Sequence, residues 1–346
     1  ITTPGSEAYN VEVDQAFAAG YLEGALTHSR IAQHYTNLMS QYANLPPALQ
    51  EKFENFVSKN HEWMQYQVAA SSNSSYWNTV ELLLAQLNGM VAGYGEYKGK
   101  SEGSLELKDF LLIQTQGDGE DIINAIKSPS ERPDFSNMTL PELKKYELEH
   151  SHCSAFIKLS PTYDELFCGH NMWWGYYAMV RVFKHFNFKV RGRVAQSIQF
   201  SSYPGTVAST DDFYQLGSKL VVMETTNPMY NNSLYDLVKP ESALYWVRAM
   251  TANYLANDGQ SWHSLFSQLN SGTYNNMWMV VDFKLFTPSQ PLKPQLLMVG
   301  EQLPGYYRFA DQTHTLSYGY WPSYNRAMYP ETQLLSGQTK MVEQRG

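Results

Sequence analysis

The amino-acid sequence predicts an α+β fold, and three observations carry that expectation. Up to about residue 150, apolar residues recur at helical spacing. From Cys153 onward the pattern changes to short runs rich in β-branched and aromatic residues. Helical and strand-like stretches come in separate runs, where βαβ units would alternate.

In chain order, 13–42 reads as a helix with Ala18, Leu22, Ala25 and Ala32 on one face. Gly20 and Gly24 on that helix permit close approach of another element. Pro46-Pro47 opens a second helix, since proline fits the first turn, with Leu49, Phe53, Phe56 and Val57 along one side. A third runs over 76–94 through Trp77, Val80, Leu84, Leu87 and Val91. Leu105–Ile113 is a fourth, broken by Gln116-Gly-Asp-Gly-Glu and resumed at 121–127. Residues 128–137 read as an exposed linker, and 140–149 as a short charged surface segment. The expected strands are 154–159, 165–169, 194–201, 218–226, 277–285 and 296–301. Helices are expected near 173–188, 242–257 and 261–269. No internal repeat, heptad or low-complexity tract is found.

The 346 residues exceed the usual single-domain size, and apolar residues at 43% suffice for a large core. The net charge is −8 and no basic cluster accumulates, so nucleic acid is not an expected partner. No run of 18 or more apolar residues occurs, and the best candidate, 80–91, is interrupted by Gln86, Asn88 and Gly89, so no integral membrane segment is expected. No signal peptide is read, and Ile1 in place of Met is taken as a mature or trimmed chain. Asn73, Asn137 and Asn231 each begin an N-glycosylation sequon, which points to a lysosomal or secreted protein.

The chemistry concentrates in one hairpin. Cys153-Ser-Ala-Phe-Ile-Lys leads into a turn at Pro161–Asp164, and Glu165-Leu-Phe-Cys-Gly-His170-Asn171 returns. A loop of that length makes residues whose numbers sum to 325 face each other. Cys153 then faces Met172, with His170 diagonal to it on the same face. Cys168 faces Ile157, about 13 Å along the strand from Cys153 at roughly 3.3 Å per residue. A disulfide needs Cα atoms within about 7 Å, so a Cys153–Cys168 bridge is disfavoured. Taken alone, Cys153 reads as a buried strand cysteine. A cut just before it would instead leave a thiol and a free α-amine on one residue, a nucleophile and a base together.

Ser151-His152-Cys153-Ser-Ala-Phe-Ile-Lys followed by Gly169-His170-Asn171-Met-Trp173 resembles the processing site of the phospholipase B-like, or lamina-ancestor-like, lysosomal family. Further blocks match in order: Phe200-Ser-Ser-Tyr-Pro-Gly-Thr206, Asp211-Asp-Phe-Tyr214, Glu224-Thr-Thr226, Asn270-Ser-Gly-Thr-Tyr-Asn-Asn276 with Trp278, and Glu301-Gln-Leu-Pro-Gly305. Phe17-Ala-Ala-Gly20 and Asp109-Phe-Leu-Leu112 extend the resemblance through the helical part. It implies an N-terminal nucleophile (Ntn) hydrolase, a four-layer αββα sandwich of two antiparallel sheets between helical layers. Segments 1–152 and 153–346 would be two parts of one intertwined domain, produced by self-cleavage between His152 and Cys153. Family members continue past Tyr320-Trp-Pro-Ser-Tyr324 through an Arg-containing region that closes the sheets. That region is expected to be missing from this chain.

The implied reaction is acyl transfer, hydrolysis of an acyl ester or amide bond in a lipid-like substrate. The α-amine of Cys153 would take the thiol proton, and the thiolate would form a thioester that water releases. Asn275 is the first oxyanion-donor candidate, with Thr226 as a second hydroxyl donor. His170 would orient the amine or touch substrate, and Trp173 would be core or cleft wall. Asp211 and Asp212 read as turn or cap residues, and Asn171 should point to the opposite face. His34, His61, His263 and His314 lack metal-ligand spacing, so neither metal nor cofactor is expected. No Gly-x-Ser-x-Gly elbow is present. The expected partners are a small lipid-like or acyl-amide substrate and a second copy in a homodimer. The competing reading is a processed but non-catalytic lysosomal protein that binds lipid or glycan.

Overall fold

The computed structural model describes residues 7–71, 73–150 and 153–345. Helices α1 (Glu7–Met39), α2 (Pro47–Ala70), α3 (Ser75–Tyr97), α4 (Leu107–Gln114), α5 (Gly119–Ile126) and α6 (Leu140–His150) make up the first part. Helices α1 and α3 lie against each other through glycines on both sides. A Cβ added at Gly20 would sit 1.8 Å from the Gln86 carbonyl oxygen, and one at Gly93 would sit 2.0 Å from that of Tyr21. Gly24 and Gly89 are as tightly enclosed, so only hydrogen fits along this seam. Pro47 starts α2 as expected, and the helix buries Phe53, Phe56 and Val57. Glu106 and Asp109 cap α4 reciprocally, each side chain accepting from the other's backbone N–H.

Strands β1 (Cys153–Leu159) and β2 (Leu166–Met172) follow. Next come β3 (Val182–Asn187), β4 (Ser197–Ser202), β5 (Phe213–Leu216) and β6 (Leu220–Thr226). Helices α7 (Tyr245–Leu255) and α8 (Gly259–Phe266) lead to β7 (Asn276–Asp282), β8 (Leu297–Leu303) and β9 (Tyr306–Asp311). The chain continues through α9 (Thr313–Leu316), β10 (Tyr320–Ser323), α10 (Pro330–Leu335) and α11 (Gln338–Arg345). Strands β3 to β9 form one antiparallel sheet in chain order, and β10-β1-β2 form a second. The expectation of an α+β protein with two antiparallel sheets is met.

Two apolar layers hold this together. Val222, Trp278 and Val280 of the large sheet pack with Leu83, Leu87, Trp246, Met250, Trp262 and Phe266 of the helices. Met223, Met277, Met279 and Val281, on the other side, pack with Ala155, Ile157 and Trp321 of the small sheet. Strands β7 and β8 are buried at every position because both of their faces are covered.

Two expectations need correction. Residues 173–188 are not a helix: they form a short 3-10 turn at Tyr176–Ala178 and then β3. Side chains of β3 alternate between the buried and the exposed face at period two, and the strand pairs with β4. The segment 128–137 is not a simple exposed linker, since Arg132 and Phe135 are buried within it.

Candidate active site

The hairpin has the register read from its turn. Cys153 pairs with Met172, Ala155 with His170 and Ile157 with Cys168. Both cysteines are free. Alternation along β1 buries Cys153, Ala155, Ile157 and Leu159 and exposes the residues between them. The same parity turns Asn171 outward, as expected. It also turns Trp173 outward, where its Nε1 donates to Ser154 Oγ at 3.4 Å. Trp173 is therefore no cleft wall; Trp174 takes that place.

The Cys153 thiol is fully buried, 3.5 Å from Glu224 Oε1 and 3.4 Å from Met172 Sδ. Burial pushes its pKa up, and the nearby carboxyls of Glu224, Asp212 and Asp211 push it further. His170 Nε2 donates to the Glu224 carbonyl oxygen at 3.1 Å. Burial lowers its pKa to about 4, which leaves a neutral imidazole. Tyr274 bridges two acids, donating to Asp212 Oδ2 at 2.5 Å and lying 3.1 Å from Glu224 Oε1. Burial raises Glu224 to about 7. It raises Asp212 as well, with Glu224 adding to the effect. Asp212 is thus a buried member of the site, not merely a turn residue, although its φ of 31° does make the turn.

Tyr274 stands in a loop that is tied down from several directions. Gly272 and Tyr274 both have positive φ. The buried Arg248 guanidinium donates to Ser271 Oγ at 3.0 Å and to Gln302 Oε1 at 2.7 Å. Gln302 Nε2 in turn donates to the Thr273 carbonyl at 2.8 Å. From the helical part, Asp118 accepts from the Thr273 hydroxyl at 2.5 Å and Asp121 accepts from the Tyr274 amide at 2.8 Å.

Asn275 lies in the same loop. Its Nδ2 donates to Asp121 Oδ2 at 3.2 Å and to the Gly272 carbonyl at 2.9 Å. Both amide hydrogens are engaged, so Asn275 holds the loop and is not a free oxyanion donor. Thr226 ends β6 opposite Asn276 and lines a cleft together with Asn275, Tyr274, Met172, Trp174 and His150. This cleft stops one side chain short of the Cys153 sulfur, at Met172 and Tyr274.

A residue that sequence reading missed closes the other side. Asn325 Nδ2 donates to the Cys153 carbonyl, and Asn325 Oδ1 is buried with no partner among the described residues. Its only sequence signal is its place just after the Tyr320–Tyr324 block. His152, the expected residue before the cleavage point, lies outside the described residues.

Of the three sequons, Asn73 and Asn137 are exposed. Asn231 Nδ2 donates to the Leu335 carbonyl at 3.0 Å and its Oδ1 caps Ser233, so it is the least accessible to a glycan. His34 stacks on Tyr203, and His263 bonds Tyr307 at 2.6 Å; both are core residues. No helix among the described residues is long and apolar enough to cross a membrane.

The family model described as Phospholipase B matches residues 1–346. Phospholipase B-like protein B of Dictyostelium discoideum is 43% identical over 93% of the chain and 56% of its own length. Phospholipase B of Crotalus adamanteus is 36% identical over 95% of the chain and 60% of its own length. Phospholipase B-like 1 of Rattus norvegicus is 37% identical over 99% of the chain and 61% of its own length. The chain thus spans about three fifths of the length of these relatives. On these matches, the chain belongs to the phospholipase B family.

Proposed function

We propose that the protein is a self-processing acyl hydrolase of the N-terminal nucleophile type, acting on a lipid-like ester or amide with Cys153 as its nucleophile. The names of the relatives support lipid hydrolysis. The observation that carries the assignment is a fully buried thiol at the first position of a strand, one side chain beyond the end of a cleft, with acids and a neutral imidazole around it. In the uncut chain burial, with those acids adding to it, keeps the thiol protonated. Attack of Cys153 Sγ on the carbonyl of residue 152 forms a C–S bond as the C–N bond breaks. The amine nitrogen takes up the thiol proton, and water then frees the new acid. The liberated α-amine, with a reference pKa near 8, becomes the base for external substrates.

Segments 1–152 and 153–346 would remain one domain after the cut. Asp118 accepts from the Thr273 hydroxyl and Asp121 from the Tyr274 backbone amide across that boundary. An exposed Asn73 and Asn137 suit passage to a lysosomal or secreted destination.

The test is N-terminal mass spectrometry of purified protein, followed by Cys153→Ala and Cys153→Ser. Two fragments together accounting for 39.6 kDa, one beginning at Cys153, are expected for the wild type. The alanine variant should stay uncut and turn over no acyl substrate. Wild-type turnover by Cys153→Ala would overturn the assignment.

A further inference from the structure

We propose that Cys153, His170 and Glu224 form a binding site for a borderline-soft divalent cation of the zinc class, and that its occupancy withdraws the sulfur from acyl chemistry. The inhibitory consequence rests on the hydrolase reading above; the binding itself does not.

The three residues come from β1, β2 and β6, on two different sheets, and no sequence spacing links them. Each brings one ligand-type atom within 4.8 Å of the other two. Around a zinc ion, with bonds of about 2.0–2.3 Å, tetrahedral ligand atoms stand roughly 3.3–3.8 Å apart. Small side-chain rotations therefore close the set onto one ion.

Two further observations point to a cation. Glu224 is fully buried beside the Asp212 carboxyl, and neither Glu224 Oε2 nor Asp212 Oδ1 receives an N–H or alcohol O–H from the described residues, so only a proton shared between the two acids satisfies them. Two buried carboxyls side by side cannot both ionise without a countercharge, and a cation bound at Glu224 supplies one. Met172 Sδ lies 3.4 Å from the Cys153 sulfur, which makes the site soft. Magnesium and calcium, which want oxygen ligands, do not fit.

The charges agree. A thiolate and a carboxylate 3.5 Å apart in a dry site repel each other, whereas a doubly charged cation between them gives a neutral cluster. The neutral imidazole of His170 is the form that binds metal. Tyr274 and Asp212 hold the Glu224 carboxyl from behind, as residues outside a metal's own ligands do. Binding forms metal–sulfur and metal–oxygen bonds and releases the thiol proton, together with the Glu224 carboxyl proton where it is held, to solvent; no electrons move.

Cobalt(II) is the probe, titrated into the purified chain without chelator. We expect one equivalent to produce a thiolate-to-cobalt charge-transfer band that zinc(II) abolishes. Cys153→Ala should remove the band. Glu224→Gln and His170→Ala should each weaken cobalt binding at least tenfold, with circular dichroism confirming that each variant is folded. Zinc should also slow alkylation of Cys153 by iodoacetamide, located by mass. The site is refuted if no band forms, or if both variants bind as tightly as the wild type, which would mean capture by the thiol alone. A chain that binds the ion yet hydrolyses nothing, with or without chelator, would refute the hydrolase reading and leave the site standing.

Discussion

Asn325 puts its side-chain amide where a strand would put its backbone. Strands β1 and β10 pair with residue numbers summing to 478, which makes Asn325 the next partner of Cys153. The Leu159 amide donates to the Gly319 carbonyl at 2.8 Å, so alternate residues of β1, Cys153 among them, direct their N–H and C=O toward β10. The chain turns away at Asn325, with φ at 56°, and its Nδ2 takes over the bond to the Cys153 carbonyl. Its Oδ1 is buried with no hydrogen-bond partner among the described residues.

That arrangement predicts the effect of Asn325→Ala. The Cys153 carbonyl loses its donor, a change worth about 1–3 kcal/mol when the group is buried. A lower denaturant midpoint is expected, together with slower processing before Cys153. Asn325→Asp keeps an acceptor but removes the donor, so it should destabilise too. An unchanged midpoint in both variants would show that the contact contributes nothing.

The glycine seam between α1 and α3 gives a second prediction with an internal control. A methyl at Gly89 would lie 1.9 Å from the Phe17 carbonyl oxygen, so Gly89→Ala must push the two helices apart. A loss of about 3 kcal/mol or more is expected. Gly95 is on the same helix with nothing within 4 Å of its would-be Cβ. Gly95→Ala should leave stability unchanged or raise it by up to about 1 kcal/mol through helix propensity. Thermal or denaturant unfolding of the pair checks both signs.

Much of this was legible before the fold was seen, where the reasoning was local. The turn length set the pairing of Cys153 with Met172, because a hairpin's register follows from its loop. Gly20 and Gly24 pointed to a close neighbour, but only the fold identifies it as Gly89 and Gly93. The site's acids stayed hidden for the opposite reason. Tyr274 meets Asp212 across 62 positions and Glu224 across 50, contacts that no periodicity announces. The misread helix at 173–188 had a local cause. Aromatic and apolar residues there are dense enough to fit a helical face, and β3 shows no apolar–polar alternation in sequence, since Val182 and Phe183 adjoin and Lys184 is one of its buried positions.

The cysteines supply a third prediction. Cys153 and Cys168 stand on the same hairpin but face Met172 and Ile157, and neither is bridged. Thiol titration after unfolding without reductant should find both thiols, and added reductant should release no more. In the native protein Cys153 should react far more slowly than after unfolding, because it is fully buried.

The last prediction concerns pH and isolates Glu224. Burial raises its pKa from 4.5 to about 7, so the folded uncut chain favours the protonated acid. The groups facing it are the Cys153 thiol, the Tyr274 phenol and the Asp212 carboxyl, with Asp211 beyond, itself 3.7 Å from Arg181. A raised carboxyl pKa gives a stability contribution that is complete below 4.5 and is lost as pH rises toward 7, because the unfolded chain ionises first. Glutamine keeps the shape and cannot ionise. In the uncut Cys153→Ala background, Glu224→Gln should therefore gain stability relative to its parent as pH climbs from 4.5 to 7, by an amount on the order of 1–2 kcal/mol. His170, held near 4 by burial, loses stability on acidification in both proteins, so its effect cancels in the difference. Paired urea titrations across that range read the difference directly. A gap that stays flat, or narrows with rising pH, would show that Glu224 is ionised in the fold, and the buried acid cluster around Cys153 would then have to be held by a countercharge.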